Sequence, residues 1–175
     1  MTVSNQRGAL PMQETIKHTA DRFTVQRVHV DAVDAAWRIM EEYYEAAAVI
    51  ARDSRVDFVR NYFGDGAGVW LAAIEKVVIG CIALRPLTAI AKSGEVKRLY
   101  VRPECRGRGV AAALYRALED YARSRGYQWL YLDTAADMTA AQTFYASLGF
   151  ESVSRYNNNP QAAIFMRKNL RSSTE

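Results

Sequence analysis

Cysteine is nearly absent: the 175 residues carry two, Cys81 and Cys105. Two thiols give no disulfide framework, and their spacing is not that of a zinc site, so no metal is expected. Cys81 lies in an apolar stretch and reads as small core filler, and Cys105 reads as an inert loop residue. Long apolar runs are missing too. AAAVIA (46–51) and VVIGCIAL (77–84) are far too short to span a bilayer, so no membrane partner is expected. No basic segment followed by a continuous apolar one opens the sequence, so no secretory leader is expected. A cytoplasmic location is the default expectation. Neither a base-stacking aromatic array nor a zinc-finger pattern is present, and nucleic acid is not an expected partner.

Acidic residues are scarce in one place. Residues 97–125 hold eight basic and three acidic side chains, a local charge of +5 in a chain whose net charge is +4. The excess coincides with VKRLYVRPECRGRGVAAALYRAL, residues 96–118. An alternating strand ends there in a turn with two glycines, and an apolar helical pattern follows at once. The first turn of a helix presents N–H groups that have no intrahelical partner, at the positive end of the helix dipole. Gly107 and Gly109 permit unusual dihedrals and close approach of a ligand to the backbone. Arg102, Arg106 and Arg108 add formal charge. This is an anion cradle, suited to a phosphate-bearing ligand. GKS or GKT is absent, and no second half of a dinucleotide fold follows, which argues against a nucleoside triphosphate.

The rest of the chain reads as one α+β domain over 21–170, between a polar extension (1–20) and a polar tail (171–175). Alternation predicts a strand over 23–30, with His29 at its end. Asp31 is the expected N-cap of a helix carrying Val33, Ala36, Trp37, Met40, Tyr43, Tyr44 and Ala47 at helical spacing. A short helix over 55–63 runs into GDGAG (64–68), a loop whose glycines precede a strand and so give only a weak phosphate signal. Residues 69–74 and 77–84 form a hairpin about Glu75-Lys76. Gly80 marks a bulge or a close backbone approach. The focal strand, 95–101, precedes a helix with Val110, Leu114, Leu118 and Tyr121 on one stripe, stopped at Gly126. A buried strand over 127–132 makes a parallel pair with the focal strand through the helical crossover. A turn follows at 133–137, with Asp137 as N-cap of a short helix ending at Gly149. Strands over 150–156 and 162–168 flank NNNP.

With RGRGVA after LYV, and AAQTFYASLGF after a buried strand, the chain resembles the GNAT superfamily of N-acetyltransferases. The family's loop pattern, Arg/Gln-x-x-Gly-x-Gly/Ala, is filled by Arg106, Gly109 and Ala111, and the order of elements agrees from about residue 23 to 170. The resemblance implies the GNAT fold, a mixed sheet flanked by helices, and acetyl-CoA as cosubstrate. Its pyrophosphate would rest on the backbone of Arg106, Gly107, Arg108, Gly109, Val110 and Ala111. Its pantetheine arm would run along Leu99, Tyr100 and Val101, where a bulge splays two parallel strands and an amide near Leu99 bonds the thioester oxygen. The acceptor would be an amine of a small molecule or peptide, bound by about residues 40–66 and 154–163. Aromatics with Asp53 and Asp57 there would suit a cationic amine.

Glu95 is the candidate general base, directly or through water. Strand alternation puts it on one face with Lys97, Leu99 and Val101. Tyr145 matches the tyrosine that serves the family as general acid. Many members carry Asn seven residues earlier, where this chain has Met138, and Thr139 or Gln142 are the possible replacements for its contact with the arm. Dimers are common in the family, and no residue here fixes that state. The other reading, from a different functional class, is a regulatory module that binds acyl-CoA without turnover.

Overall fold

The computed structural model describes residues 23–171, so the expected N-terminal extension and most of the polar tail lie outside the described residues. A seven-stranded mixed sheet has the order β1-β2-β3-β4-β5-β7-β6. Its strands are β1 (Phe23–Arg27), β2 (Gly68–Ile74), β3 (Val77–Pro86), β4 (Ser93–Val101), β5 (Trp129–Thr134), β6 (Glu151–Ser152) and β7 (Ile164–Asn169). Four helices accompany it: α1 (Val33–Ala46), α2 (Arg55–Tyr62), α3 (Val110–Ser124) and α4 (Thr139–Ser147). All neighbouring strands are antiparallel except β4 and β5, the parallel pair expected from the crossover through α3.

Two apolar clusters hold the layers together. On one face, Leu114, Leu118 and Ala122 of α3 pack with Ile82, Leu84, Val96, Val101, Leu130 and Leu132. On the other, Ala36, Ile39, Met40 and Tyr44 of α1 join Phe58 and Tyr62 of α2 over Val69, Cys81 and Ala83. Cys81 is the core filler its surroundings suggested. The apolar stripe of each helix thus covers one side of the sheet, the arrangement that removes most apolar surface from water.

Several boundaries differ from the sequence reading. The first strand ends at Arg27 rather than residue 30, and a short 3₁₀ turn, Val30–Ala32, follows. Asp31 sits inside that turn, so Ala32 and not Asp31 is the N-cap of α1. Met138, not Asp137, is the N-cap of α4. Asp133 and Thr134 belong to β5 rather than to a turn, because β7 offers Phe165 and Ile164 as pairing partners. In contrast, Gly126 does follow the end of α3 with positive φ, and Ser54 caps α2 by accepting from the Asp57 amide.

Two bulges shape the centre. Ala72 pairs with Gly80 but Ala73 with Val78, so one extra residue sits in β3. A Cβ on Gly80 would meet the Tyr100 carbonyl oxygen at 2.7 Å, so both features expected of this glycine are present. In β4, Lys97 faces Ala83 while Tyr100 faces Cys81, which leaves three steps of β4 against two of β3. Arg98 absorbs the surplus with φ of 61°, a left-handed conformation unusual for a residue with a side chain. The bulge reverses the strand's alternation. Val96, Leu99 and Val101 share the α3 face. Glu95 and Lys97 point the other way. The expected single face of Glu95, Lys97, Leu99 and Val101 is therefore corrected: period-two counting fails across a bulge.

Candidate active site

Beyond Glu95 the two parallel strands separate. β4 pairs with β5 only over Ser93–Glu95, against Trp129, Leu130 and Tyr131. From Leu132 onward β5 pairs with β7 alone. The gap is a cleft of about 460 Å³, with Val96, Lys97, Arg98 and Leu99 on one wall and Leu132 to Ala135 on the other. Within an antiparallel ladder the backbone groups of successive residues alternate between the two sides of the strand. Arg102 donates its amide to the Ile79 carbonyl at 2.9 Å, on the β3 side. By that alternation, Leu99 and Val101 turn their backbone groups toward the cleft and Tyr100 turns toward β3. The Val101 carbonyl accepts from Arg106 Nε at 2.9 Å, which ties the following loop to the strand end.

That loop is the predicted cradle. Gly107 and Gly109 have φ of 74° and 79°. The first bond of α3 runs from the Ala113 amide to the Gly109 carbonyl. The amides of Gly109, Val110, Ala111 and Ala112 therefore donate to no backbone carbonyl among the described residues. Apart from its chain neighbours, a Cβ built on Gly107 or Gly109 would meet nothing within 4 Å among the described residues. An anion fits there. Arg102 is committed elsewhere, in a bidentate pair with Glu42 of α1 at 2.8 and 2.5 Å.

Glu95 is fully buried, and it does not line the cleft. Its carboxylate accepts from Arg85 Nε (2.7 Å), Tyr156 Oη (3.0 Å) and Asn157 Nδ2 (3.1 Å), with Lys97 Nζ at 3.5 Å. The neighbouring Asp133 does line it, and sequence reading had placed this residue in a turn. Asp133 accepts from Lys97 Nζ (2.6 Å), Asn157 Nδ2 (2.8 Å) and Asn159 Nδ2 (3.1 Å). One ammonium and one amide thus bridge two carboxylates. Burial by itself would raise the Asp133 carboxyl. The Lys97 charge and the donors around it outweigh burial and hold it below the usual carboxylate range.

The sign of that shift predicts a pH effect. A depressed carboxylate stabilises the fold above its unfolded pKa of about 3.9, and that contribution is lost as pH falls through the lower folded value. Urea midpoints of the wild type and Asp133→Asn should differ most near neutral pH. The difference should narrow as pH drops below about 4, where Asp133 becomes uncharged like asparagine.

Tyr145 of α4 lines the other side of the cleft. Its ring is packed edge-on among Tyr115, Phe144 and Phe150. Its hydroxyl makes no hydrogen bond among the described residues. Burial, with a smaller contribution from Tyr43, pushes the phenol well above its ordinary value, so it stays protonated. Met138 also lines the cleft. Gln142 spends its amide nitrogen on the Ala135 and Ala136 carbonyls, both at 3.1 Å.

At the far end, Arg98 projects toward α1. Its Nη2 donates to Asp53 at 2.8 Å, and its guanidinium lies over the rings of Tyr43 and Tyr44, 5.7 and 5.1 Å from their centroids. Asp53 also accepts from Tyr44 Oη (2.8 Å) and Asn61 Nδ2 (3.3 Å). Asp57 is taken up by the cap of α2, with Ser54 and Arg60. The two aspartates expected to suit a cationic amine are thus neutralised within the protein. Gln161 closes this end: it accepts from the Ile50 amide (2.8 Å) and donates to the Ala48 carbonyl (3.3 Å). No helix among the described residues is long and apolar enough to cross a membrane.

Comparison with known proteins agrees with this architecture. Residues 32–150 match the model of the acetyltransferase (GNAT) family. An uncharacterized N-acetyltransferase of Schizosaccharomyces pombe is 33% identical over 118 residues, 66% of this chain and 71% of that protein. Other curated N-acetyltransferases match over only about half of their own length, 47–54%. Among solved structures, a GNAT-family acetyltransferase of Staphylococcus aureus superposes with a TM-score of 0.73 at 18% identity, covering 86% of this chain and all (100%) of that one. A PaiA N-acetyltransferase of Thermoplasma acidophilum, crystallised with coenzyme A, gives 0.65 at 16% identity, covering 85% of this chain and 99% of that one. The strand order, the parted parallel pair and the family match lead to one conclusion: the chain belongs to the GNAT family of acetyltransferases.

Proposed function

We propose that the protein transfers the acetyl group of acetyl-CoA to an amine of a small molecule or peptide. The observation that carries this is the parting of β4 and β5 beside a glycine-turned helix start. An anionic head and an extended amide-containing arm fit that combination. That the Thermoplasma protein of the same fold binds coenzyme A supports coenzyme A as the ligand here. In this reading the amides of Gly107 to Ala111 hold the pyrophosphate, with Arg106 fixing the loop and Arg108 adding charge. The exposed edge at Leu99 and Val101 pairs with the arm as a missing strand would, and Tyr100 holds β4 to β3.

The transfer forms one N–C bond and breaks one C–S bond, and the amine loses a proton. An amide at Leu99 donates to the thioester oxygen as negative charge develops there, a preorganised interaction worth several kcal/mol in such sites. Proton removal falls to water at the polar wall. Glu95 acts through the Lys97–Asn157–Asp133 network behind that wall, not by direct contact. Tyr145 acts on the departing sulfur. A phenol raised by burial is a weaker acid than a thiol of pKa about 8.5, so its main service is a hydrogen bond to the thiolate, and complete proton transfer is uphill.

Turnover is tested by release of coenzyme A thiol from acetyl-CoA across a panel of amino acids, polyamines, aminoglycosides and N-terminal peptides. Amine-dependent release supports the proposal. A protein that coenzyme A stabilises against heat, but that releases no thiol with any amine, is instead an acyl-CoA-binding module.

A further inference from the structure

The residue least explained by folding is Arg98. It occupies a left-handed bulge position that glycine would fill without strain. A side chain there is strained, and such strain gathers at functional positions. Its guanidinium is placed with care: Asp53 anchors one nitrogen, while the rings of Tyr43 and Tyr44 flank the plane. Yet the guanidinium is only partly used. Nε is buried, with neither a partner nor a surface that a ligand could reach, and no hydrogen bond runs from Nη1 among the described residues. The side chain is 12% exposed, and what is exposed opens into the cleft.

The other charges of the cleft are satisfied. Lys97 is shared by Glu95 and Asp133, and Arg85 is engaged by Glu95. Asp133 and Asp53 each have a cationic partner. What the acceptor end of the cleft lacks is a hydrogen-bond acceptor for Arg98. It does not lack a cation. Arginine matches a carboxylate in planar, two-point fashion, which a lysine does not reproduce. Arg98 is also the immediate neighbour of Leu99, whose amide faces the thioester in the transfer reading.

We infer that the acceptor is a small amino acid with a free carboxylate, held at the Nη1 end of the Arg98 guanidinium while its amine, a few bonds away, meets the acetyl group. This deepens the acetyl-transfer proposal and rests on it for the identity of the reacting group. The chemistry is unchanged: the amine nitrogen bonds to the acetyl carbon, the C–S bond breaks, and the ammonium proton passes to water. The carboxylate orients the acceptor and takes no part in bond making. Tyr43, beside Arg98, lines the space for the acceptor's side chain.

The test uses the full chain and matched acceptors. Each standard α-amino acid, with β-alanine and γ-aminobutyrate, is compared with its decarboxylated amine and its carboxamide, and spermidine is included. The expected result is at least one amino acid with kcat/KM about 100-fold above its amine and amide, and spermidine inert. In Arg98→Lys and Arg98→Gln that ratio should fall below about tenfold, through a KM for the amino acid raised more than kcat is lowered. The wild-type ratio needs no variant to fold. Binding of N-acetylamino acids, followed by calorimetry, needs no turnover, and Arg98→Gln should weaken it at least tenfold. Amines acetylated as well as their parent amino acids would overturn the carboxylate assignment and leave acetyl transfer standing. Arg98-dependent binding of N-acetylamino acids without any thiol release would do the reverse. Absence of both binding and acid preference overturns the assignment.

Discussion

Gly109→Glu is expected to remove coenzyme A binding and leave a folded protein. Gly109 opens α3 with φ of 79°, where any side chain is strained, and the local cost is about 1–2 kcal/mol. Apart from its chain neighbours, no atom of the described residues stands within 4 Å of a Cβ placed there. The new carboxylate sits at the positive end of the helix, which offsets part of the strain. For a pyrophosphate the consequences are far worse. The side chain occupies the space over the amides of Val110 and Ala111, and its charge repels the ligand. A loss of about 100-fold or more in affinity follows, or roughly 2.7 kcal/mol. Thermal scans with and without coenzyme A measure it: the ligand-induced rise in midpoint should vanish in Gly109→Glu. Gly109→Ala, which adds strain without charge, should retain part of the rise. An undiminished rise in Gly109→Glu would show that the cradle does not hold the anion.

The second large effect is expected from Tyr145→Phe. Positioned acid–base groups contribute about 10²–10⁴-fold to rate, and a hydrogen bond to a leaving thiolate belongs at the lower end, so kcat should drop about 100-fold. The midpoint of unfolding should hardly move. The ring keeps its contacts with Tyr115, Phe144 and Phe150, and the hydroxyl gives up no hydrogen bond among the described residues. Coenzyme A affinity should stay within a few-fold. That combination separates a role at the sulfur from a role in packing, because a packing residue would lose stability and rate together. The raised phenol also means that Tyr145 should impose no alkaline limb on the rate below about pH 10. An unchanged kcat in Tyr145→Phe would remove the residue from the chemistry.

The glycine-turned helix start was legible in the sequence because everything that makes it is local. A strand, two glycines and a helix start within one short stretch determine where the free amides lie. The parallel pair was legible for a similar reason, since a helical crossover between adjacent strands leaves little choice of direction. The polar network was not legible. Tyr156 and Asn157 reach Glu95 across |i−j| of 61 and 62, and Asn159 reaches Asp133 across 26. Nothing in a local pattern announces such meetings. The fate of Glu95 shows the cost. Alternation put it on one face with Leu99 and Val101, but Arg98 breaks the count, and neither glycine nor proline marks the break. Asp133 was missed because Asp beside Thr and Ala reads as a turn, whereas pairing with β7 extends the strand through it. Asp53 and Asp57 looked like free acidic groups because their partners, Arg98 and the α2 cap, appear only on folding.

The parting of β4 from β5 also divides the sheet. One half, β1 to β4, carries α1 and α2 on one face, and α3 covers the other face and reaches across to Leu130 and Leu132 of β5. The other half is β5, β7 and β6. Only the three pairs from Ser93 to Glu95 stitch the two together along the strands. The backbone ladder between the halves is thus short, and the packing of α3 on Leu130 and Leu132 and the Lys97–Asp133 pair supply the rest of their connection. Glu95 lies at the end of the seam, and its bonds to Arg85 on one half and to Tyr156 and Asn157 on the other span it. This carboxylate therefore crosslinks the two halves at the point where the backbone ladder between them ends.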